Sequence, residues 1–214
     1  MPRPRTPLLS ADAIRAAALQ IIDSDGLPQL TMRKLAGELG VQAASLYSYF
    51  PTKDRLLDDI ADAIMATVDA SAFTTTDWRT ALAEWARSYR AALAGHRNFV
   101  PFLAAGPSRR ASALQRADTV HGGLTAAGWP PRQATMIGAA TKYLVVGAAL
   151  SSFAGGFDDD VQVYLDRYPN LGGAHRLREH AEQIDGGSFE LALSSFLRGL
   201  DELYAELTAP GTRG

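Results

Sequence analysis

The sequence predicts an all-α protein: an N-terminal three-helix helix-turn-helix domain followed by a larger helical body. Three observations carry this. Apolar residues recur at the 3.6-residue period of a helix through most of the 214 residues. Nothing in the N-terminal segment reads as a strand. Near the N-terminus, two short apolar-periodic segments flank a single glycine, after a longer leading segment.

Each element has its own signals. Ser10 is placed to cap a first helix whose stripe is Ile14, Ala17, Ala18, Ile21 and Ile22, and Gly26 and Pro28 end it. Thr31 opens a second helix with Leu35, Ala36 and Leu39 inward; Gly40 supplies a left-handed turn. A third helix is expected from Gln42 to Tyr49, stopped by Pro51. Thr52 caps a fourth with Leu57, Ile60, Ala61, Ile64 and Val68 in register. Residues 71–76 read as a link. Asp77 then opens a long helix carrying Trp78, Leu82, Trp85, Tyr89 and Leu93, closed by Gly95. A short helix is expected around Phe99–Ala105, and another from Arg109 to Ala127, before Gly128, Pro130 and Pro131. An apolar helix follows over about 131–153. Residues 154–174 read as loop with one short helix near Val161–Tyr164, and a weak helix covers His175–Ile184. The last helix, about 188–207, carries Phe189, Leu193, Phe196, Leu197, Leu200, Leu203, Tyr204 and Leu207.

Composition excludes several classes of function. The chain has no cysteine, so disulfides, thiolate metal sites and cysteine nucleophiles are ruled out. No Ser-His-Asp order, Walker loop or dinucleotide fingerprint is present, so no enzyme activity is expected. His96, His121, His175 and His180 lack metal-ligand spacing. His175 and Glu179, four apart, read as a solvated helical pair, so neither metal nor cofactor is expected. "MPRPRTPLLS" lacks the apolar core of a signal peptide, which points to a cytoplasmic location. Residues 134–153 are apolar enough to suggest a membrane span. However, Lys142 near the middle of that stretch would cost about 2.5–3.5 kcal/mol in a bilayer, so a buried helix of a soluble body is expected instead.

Net charge is −2, unevenly spread. Residues 1–53 hold six bases against four acids, and the remainder 15 bases against 19 acids. A basic head on an acidic body suits local binding of nucleic acid.

The stretch "SLYSYF", residues 45–50, fits that reading. Leu46 and Phe50, four apart, serve as core anchors. Gln42, Ala43, Ser45, Tyr47, Ser48 and Tyr49 are left to face outward. The second helix of a helix-turn-helix lies in the major groove and needs such a face. Gln42 suits bidentate pairing with adenine, Ala43 or Ala44 the thymine methyl, and Tyr47 a phosphate oxygen. Thr52 and Lys53 open the fourth helix, where backbone N–H groups favour a phosphate. Thr31, Arg33 and Lys34 at the start of the second helix add polar and cationic contacts. "PRPR" could serve as an arm in the minor groove, although such termini are more often disordered.

"LTMRKLAGELGVQAASLYSYFPTKDRLLDDI", residues 30–60, resembles the DNA-binding segment of the TetR family of bacterial transcriptional regulators. The features that carry the resemblance are Thr31, Leu35-Ala36, Leu39-Gly40-Val41, Leu46-Tyr47, Phe50, Lys53 and Leu56-Leu57. "SYRAALAGHRNFVPFL", Gly128-Trp129, "TKYLVVGAALSS" and "FELALSSFLRGLDEL" are similar to the body of the tetracycline-repressor subgroup. The resemblance implies a DNA-binding domain over 1–54, with a connecting helix to about 70, and a ligand-binding and dimerisation domain over 71–214. It also implies a homodimer through helices about 131–153 and 188–207, double-stranded operator DNA as one partner and a small-molecule effector as another. That makes the protein a ligand-responsive regulator, expected to be a repressor released from a pseudo-palindromic operator. An all-α carrier or enzyme with a vestigial head is the alternative, and it predicts no salt-sensitive DNA affinity.

Tetracycline repressors hold a magnesium–drug complex with a histidine and an acid. Phe102 or Leu103, and Ser151, stand at those places here, and none of them suits magnesium. Phe99, Phe102, Leu103, Trp129, Tyr143 and Phe153 suggest an apolar, aromatic-lined pocket instead, with Trp85, Tyr89 and His121 as further candidates for ligand contact.

Overall fold

The computed structural model describes residues 9–105, 111–165 and 167–209, which contain helices and turns and no strand. The "PRPR" segment, Arg109 and the loop before it lie outside these residues.

Four helices build the head. In α1 (Ala11–Asp25) Ser10 Oγ accepts from the Ala13 amide at 3.1 Å, and Gly26 ends the helix at φ 91°. Its buried stripe is Ile14, Ala18, Ile21 and Ile22. In α2 (Met32–Glu38) Thr31 Oγ1 accepts from Lys34 N at 3.1 Å. Gly40 turns the chain at φ 65°, where a side chain would be strained. α3 (Ala43–Tyr47) is shorter than the sequence suggests because Gln42 is its N-cap and Ser48 its C-cap. Leu46 is fully buried and Phe50 nearly so, so the two anchors hold this short element against α1, α2 and α4. α4 (Lys53–Ala66) starts at Thr52, whose Oγ1 accepts from Arg55 N at 3.2 Å.

The body follows without a break in the core. The expected link is a 3-10 turn, Ser71–Thr74, that buries Phe73 under α5 (Trp78–Ala94) and α7 (Ala111–Ala126). Asp77 caps α5 through the amides of Arg79 and Thr80, both at 3.0 Å. A 3-10 turn, Arg97–Phe99, leads into α6 (Val100–Ala105). It also grips the end of α1: Asn98 Nδ2 donates to Ile22 O at 3.1 Å and Asp23 O at 2.9 Å, and His96 Nδ1 lies 2.8 Å from Asp23 Oδ2.

α8 (Pro131–Leu150) packs on α5, α7 and α9. It differs from expectation in two ways. It ends at Leu150 because Ser151 is fully extended, and it is buried along one stripe only, Ala134, Ile137, Thr141, Val145 and Ala149. The opposite face carries Met136 at 58%, Tyr143 at 74% and Leu150 at 47% exposure. Residues Pro131–Gly156 do reach the length and apolarity of a membrane span, yet one face of the helix belongs to the core.

The last helix, α9 (Ala181–Thr208), runs through Gly186 and Gly187, where a break is expected from the sequence. Two helical glycines cost about 1 kcal/mol each. Packing on both sides outweighs that: Phe189, Leu193, Leu197 and Leu200 are buried, and Asp185 Oδ1 accepts from Ala154 N at 3.3 Å. The expected helix over 175–184 is instead two 3-10 turns, Ala174–Arg176 and Arg178–His180, leading into α9. In the body, Trp78, Trp129 and Tyr204 cluster with ring centroids 5.0–5.5 Å apart, Trp78 edge-on to Trp129, and Tyr204 donates to Ala127 O.

Candidate functional site: a polar helix face and a cavity in the body

The outward face of α3 is built from few residues. Gln42, Ala44, Ser45, Tyr47, Ser48 and Tyr49 are exposed, whereas Ala43 packs partly against the core. Ala44 therefore replaces Ala43 as the methyl presented outward. Tyr47 is 48% exposed, and its hydroxyl has no hydrogen bond among the described residues. Tyr49 is 43% exposed but donates to the Leu9 carbonyl at 2.7 Å, so its phenol ties down the chain before α1. The Ser48 hydroxyl donates back to Ser45 O at 2.7 Å. Thr31 and Thr52 are exposed caps, and Lys53 is half-buried at the first position of α4. Arg33 is exposed. Lys34 instead pairs with Asp25 at 2.5 Å, which holds the Asp25 carboxyl below its usual range.

The residues suggested for the ligand divide into two groups. Trp85, Tyr89 and His121 come together at one cavity of about 430 Å³ between α4, α5, α7 and α8. The others do not line it. Phe99 is fully buried and stacks on Phe102, with centroids 4.9 Å apart. Leu103 is core and Trp129 belongs to the cluster with Trp78. Tyr143 is 74% exposed, since the buried stripe of α8 faces the other way, and Phe153, beyond the end of α8, is 72% exposed. The pocket of aromatic residues expected from these positions is thus replaced by one that is mostly aliphatic, with two aromatic rings.

Polar groups also enter this cavity. Arg116 lines it from α7, with Thr135 and Lys142 from α8. Arg116 Nη1 donates to the Met65 carbonyl near the end of α4, while its buried Nη2 has no partner among the described residues. Burial pushes the Arg116 pKa down, with Tyr89 and Asp62 acting against the shift. The buried Trp85 Nε1 also lacks a partner among them. His121 Nε2 lies 3.2 Å from Pro131 O, a geometry that makes this nitrogen the donor. Arg116 is a charge in helical register with the apolar residues Ala113, Val120 and Leu124, a signal the sequence carries but that does not by itself mark a ligand contact.

Comparison with known proteins agrees with this geometry. Residues 14–60 match the family described as bacterial regulatory proteins, tetR family, and residues 73–204 match the tetracyclin repressor-like C-terminal domain. An HTH-type transcriptional regulator of Saccharopolyspora erythraea is 34% identical over 66% of this chain and 60% of its own length, so the chain spans less than two thirds of that relative. The tetracycline repressor protein class G of Vibrio anguillarum is 30% identical over 94% of this chain and 98% of its own. Among solved structures, TetR from Acinetobacter baumannii AYE has TM-score 0.71 and 30% identity, covering 91% of this chain and 98% of its own. The Streptomyces coelicolor protein ActR, in complex with (S)-DNPA, has TM-score 0.70 and 28% identity, covering 90% and 96%.

Proposed function

The chain belongs to the TetR family and is a ligand-responsive, DNA-binding transcriptional regulator, and from that premise we propose how its two sites work together. The observation that carries the proposal is the position of α4. Its first residue, Lys53, adjoins the polar face of α3. Near its other end, Met65 lines the cavity and is held by Arg116.

In this reading residues 1–54 bind DNA and residues 71–214 bind effector and dimerise. Tyr47, Lys53, Thr52 and Thr31 anchor phosphates, with Arg33 beside them. Gln42, Ala44 and Ser45 meet base edges, with Ser48 at the rim. Lys34 and Tyr49 act at one remove, through Asp25 and Leu9.

Two copies pair through the exposed apolar faces of α8 and α9. Met136, Tyr143 and Leu150, which share one side of α8, and Leu203 and Leu207 near the end of α9 support this, because they are exposed apolar side chains among the described residues. The two α3 helices then enter major grooves about 34–36 Å apart on a pseudo-palindromic operator. The protein acts in the cytoplasm as a repressor. A small molecule in the cavity biases α4, and with it the separation of the heads, by about 1–3 kcal/mol of coupling. The alternative of a carrier or enzyme with a vestigial head is not favoured, since the outward face of α3 is intact.

DNase footprinting of the DNA upstream of the protein's own gene and its neighbours tests the reading. A single protected pseudo-palindrome is expected. Uniform, sequence-independent protection would contradict it.

A further inference from the structure

The cavity has an imbalance of hydrogen-bonding groups that says which ligands it takes. Arg116 Nη2 and Trp85 Nε1 are buried N–H groups with no acceptor among the described residues, and both residues line the same cavity. Guanidinium and indole nitrogens donate only. Lys142, half-buried on α8, adds a third donor-only group. Among the described residues no carboxylate lies within ion-pair distance of Arg116; Asp62, the acid that acts on it, accepts from Ser112 Oγ at 2.6 Å. The Thr135 hydroxyl donates to Pro131 O at 3.0 Å. The rest of the wall is chiefly Met65, Val120, small residues and the Trp85 and Tyr89 rings.

A buried donor without a partner costs more than a typical hydrogen bond returns, and a buried cation without one costs more still. A ligand that brings an anionic acceptor to the Arg116 guanidinium removes the larger of these deficits. The planar fork of arginine matches a carboxylate, and Lys142 on the same wall adds to the preference for an anion. We infer that the cavity selects an aromatic carboxylate, with its charged end on Arg116 and its ring against the apolar wall. The inference rests on the reading of this cavity as the effector site and adds the ligand's chemical class. Because Arg116 Nη1 donates to Met65 O, a carboxylate on the same guanidinium sits one residue away from the end of α4.

Titration calorimetry with naphthalene-2-carboxylate and its neutral isostere naphthalene-2-carboxamide tests this on the full-length protein. The carboxylate should bind about tenfold or more tightly than the amide, the worth of one charge-assisted contact. Arg116→Gln should abolish that preference, and Arg116→Lys should restore part of it. Equal affinity for the two ligands in the wild type, no binding of either, or a preference that survives Arg116→Gln would each overturn the inference. If Arg116→Gln fails to fold, the wild-type comparison still decides. Binding of upstream DNA by the ligand-free protein is measured separately. Its failure would count against the regulator reading and leaves the carboxylate-to-amide ratio untouched.

Discussion

Arg116 on α7 donates to the Met65 carbonyl near the C-terminal end of α4, so one side chain belongs both to the cavity and to the helix that reaches the DNA-binding face. Met65 O also accepts from Val68 N at 3.2 Å. Losing the arginine therefore leaves no carbonyl orphaned, and it removes a cation whose second nitrogen has no partner among the described residues. Arg116→Met, which keeps the packing of the stem, should leave the melting temperature of the ligand-free protein unchanged or raised. Calorimetry showing a fall of several degrees would mean that the arginine is a structural support.

The two tyrosines of α3 should behave differently. Tyr47→Phe removes a hydroxyl unpaired among the described residues and should weaken binding to every DNA sequence alike, by roughly 0.5–1.5 kcal/mol. Tyr49→Phe releases Leu9 and should affect DNA less. Lys53→Gln should lower the slope of log affinity against log salt by about 1. Binding isotherms at several salt concentrations separate the three, and equal losses for the two tyrosines would contradict the assignment.

Gly123 is where α7 comes closest to the turn before α5. A Cβ there would sit 2.6 Å from Phe73 Cβ and 3.0 Å from Phe73 O. The second of these is backbone and cannot swing away. Gly123→Ala should cost about 1–3 kcal/mol, lowering the melting temperature by about 2–4 °C per kcal/mol. Gly122→Ala meets nothing within 4 Å and should be neutral or stabilising. Thermal melts of the pair test the close approach.

Acid should weaken the body through its carboxylates. Asp77 caps α5, and the amides of Thr80 and Arg79 hold its carboxyl below the usual range. Glu190 on α9 is lowered by Arg87 on α5, across a pair that is half exposed and well screened. For both, the folded-state pKa lies below the unfolded one. Their contributions are thus present above the ordinary carboxylate range, about pH 4, and are lost as pH falls through the folded value. Asp77→Asn should keep a cap at neutral pH and flatten the acid limb, whereas Asp77→Ala should cost about 1 kcal/mol. Urea melts between acid and neutral pH check both.

The head was legible in the sequence because its signals are local. Ser10, Thr31 and Thr52 cap the helices they precede, and Gly40 turns where a positive φ is needed. The cavity was not, because it depends on which residues of four helices converge. Tyr143 and Phe153 look like pocket aromatics, yet the stripe Ala134–Ala149 turns α8 so that Tyr143 points away. Gly186 and Gly187 look like a break, but burial of Phe189 and Leu193 carries the helix across them. Tertiary packing overrides local propensity at each of these places.

The central claim is that the face around Tyr47 and Lys53 binds one operator specifically. Fluorescence anisotropy with DNA from upstream of the protein's own gene and its neighbours, at two salt concentrations, tests it most directly. The prediction is an affinity of about 10⁻⁸ M or better for one fragment, falling with salt, not competed by random duplex and lost in Tyr47→Ala. Equal, weak binding to every fragment after ligand has been stripped by unfolding and refolding, or full affinity in Tyr47→Ala, would contradict it.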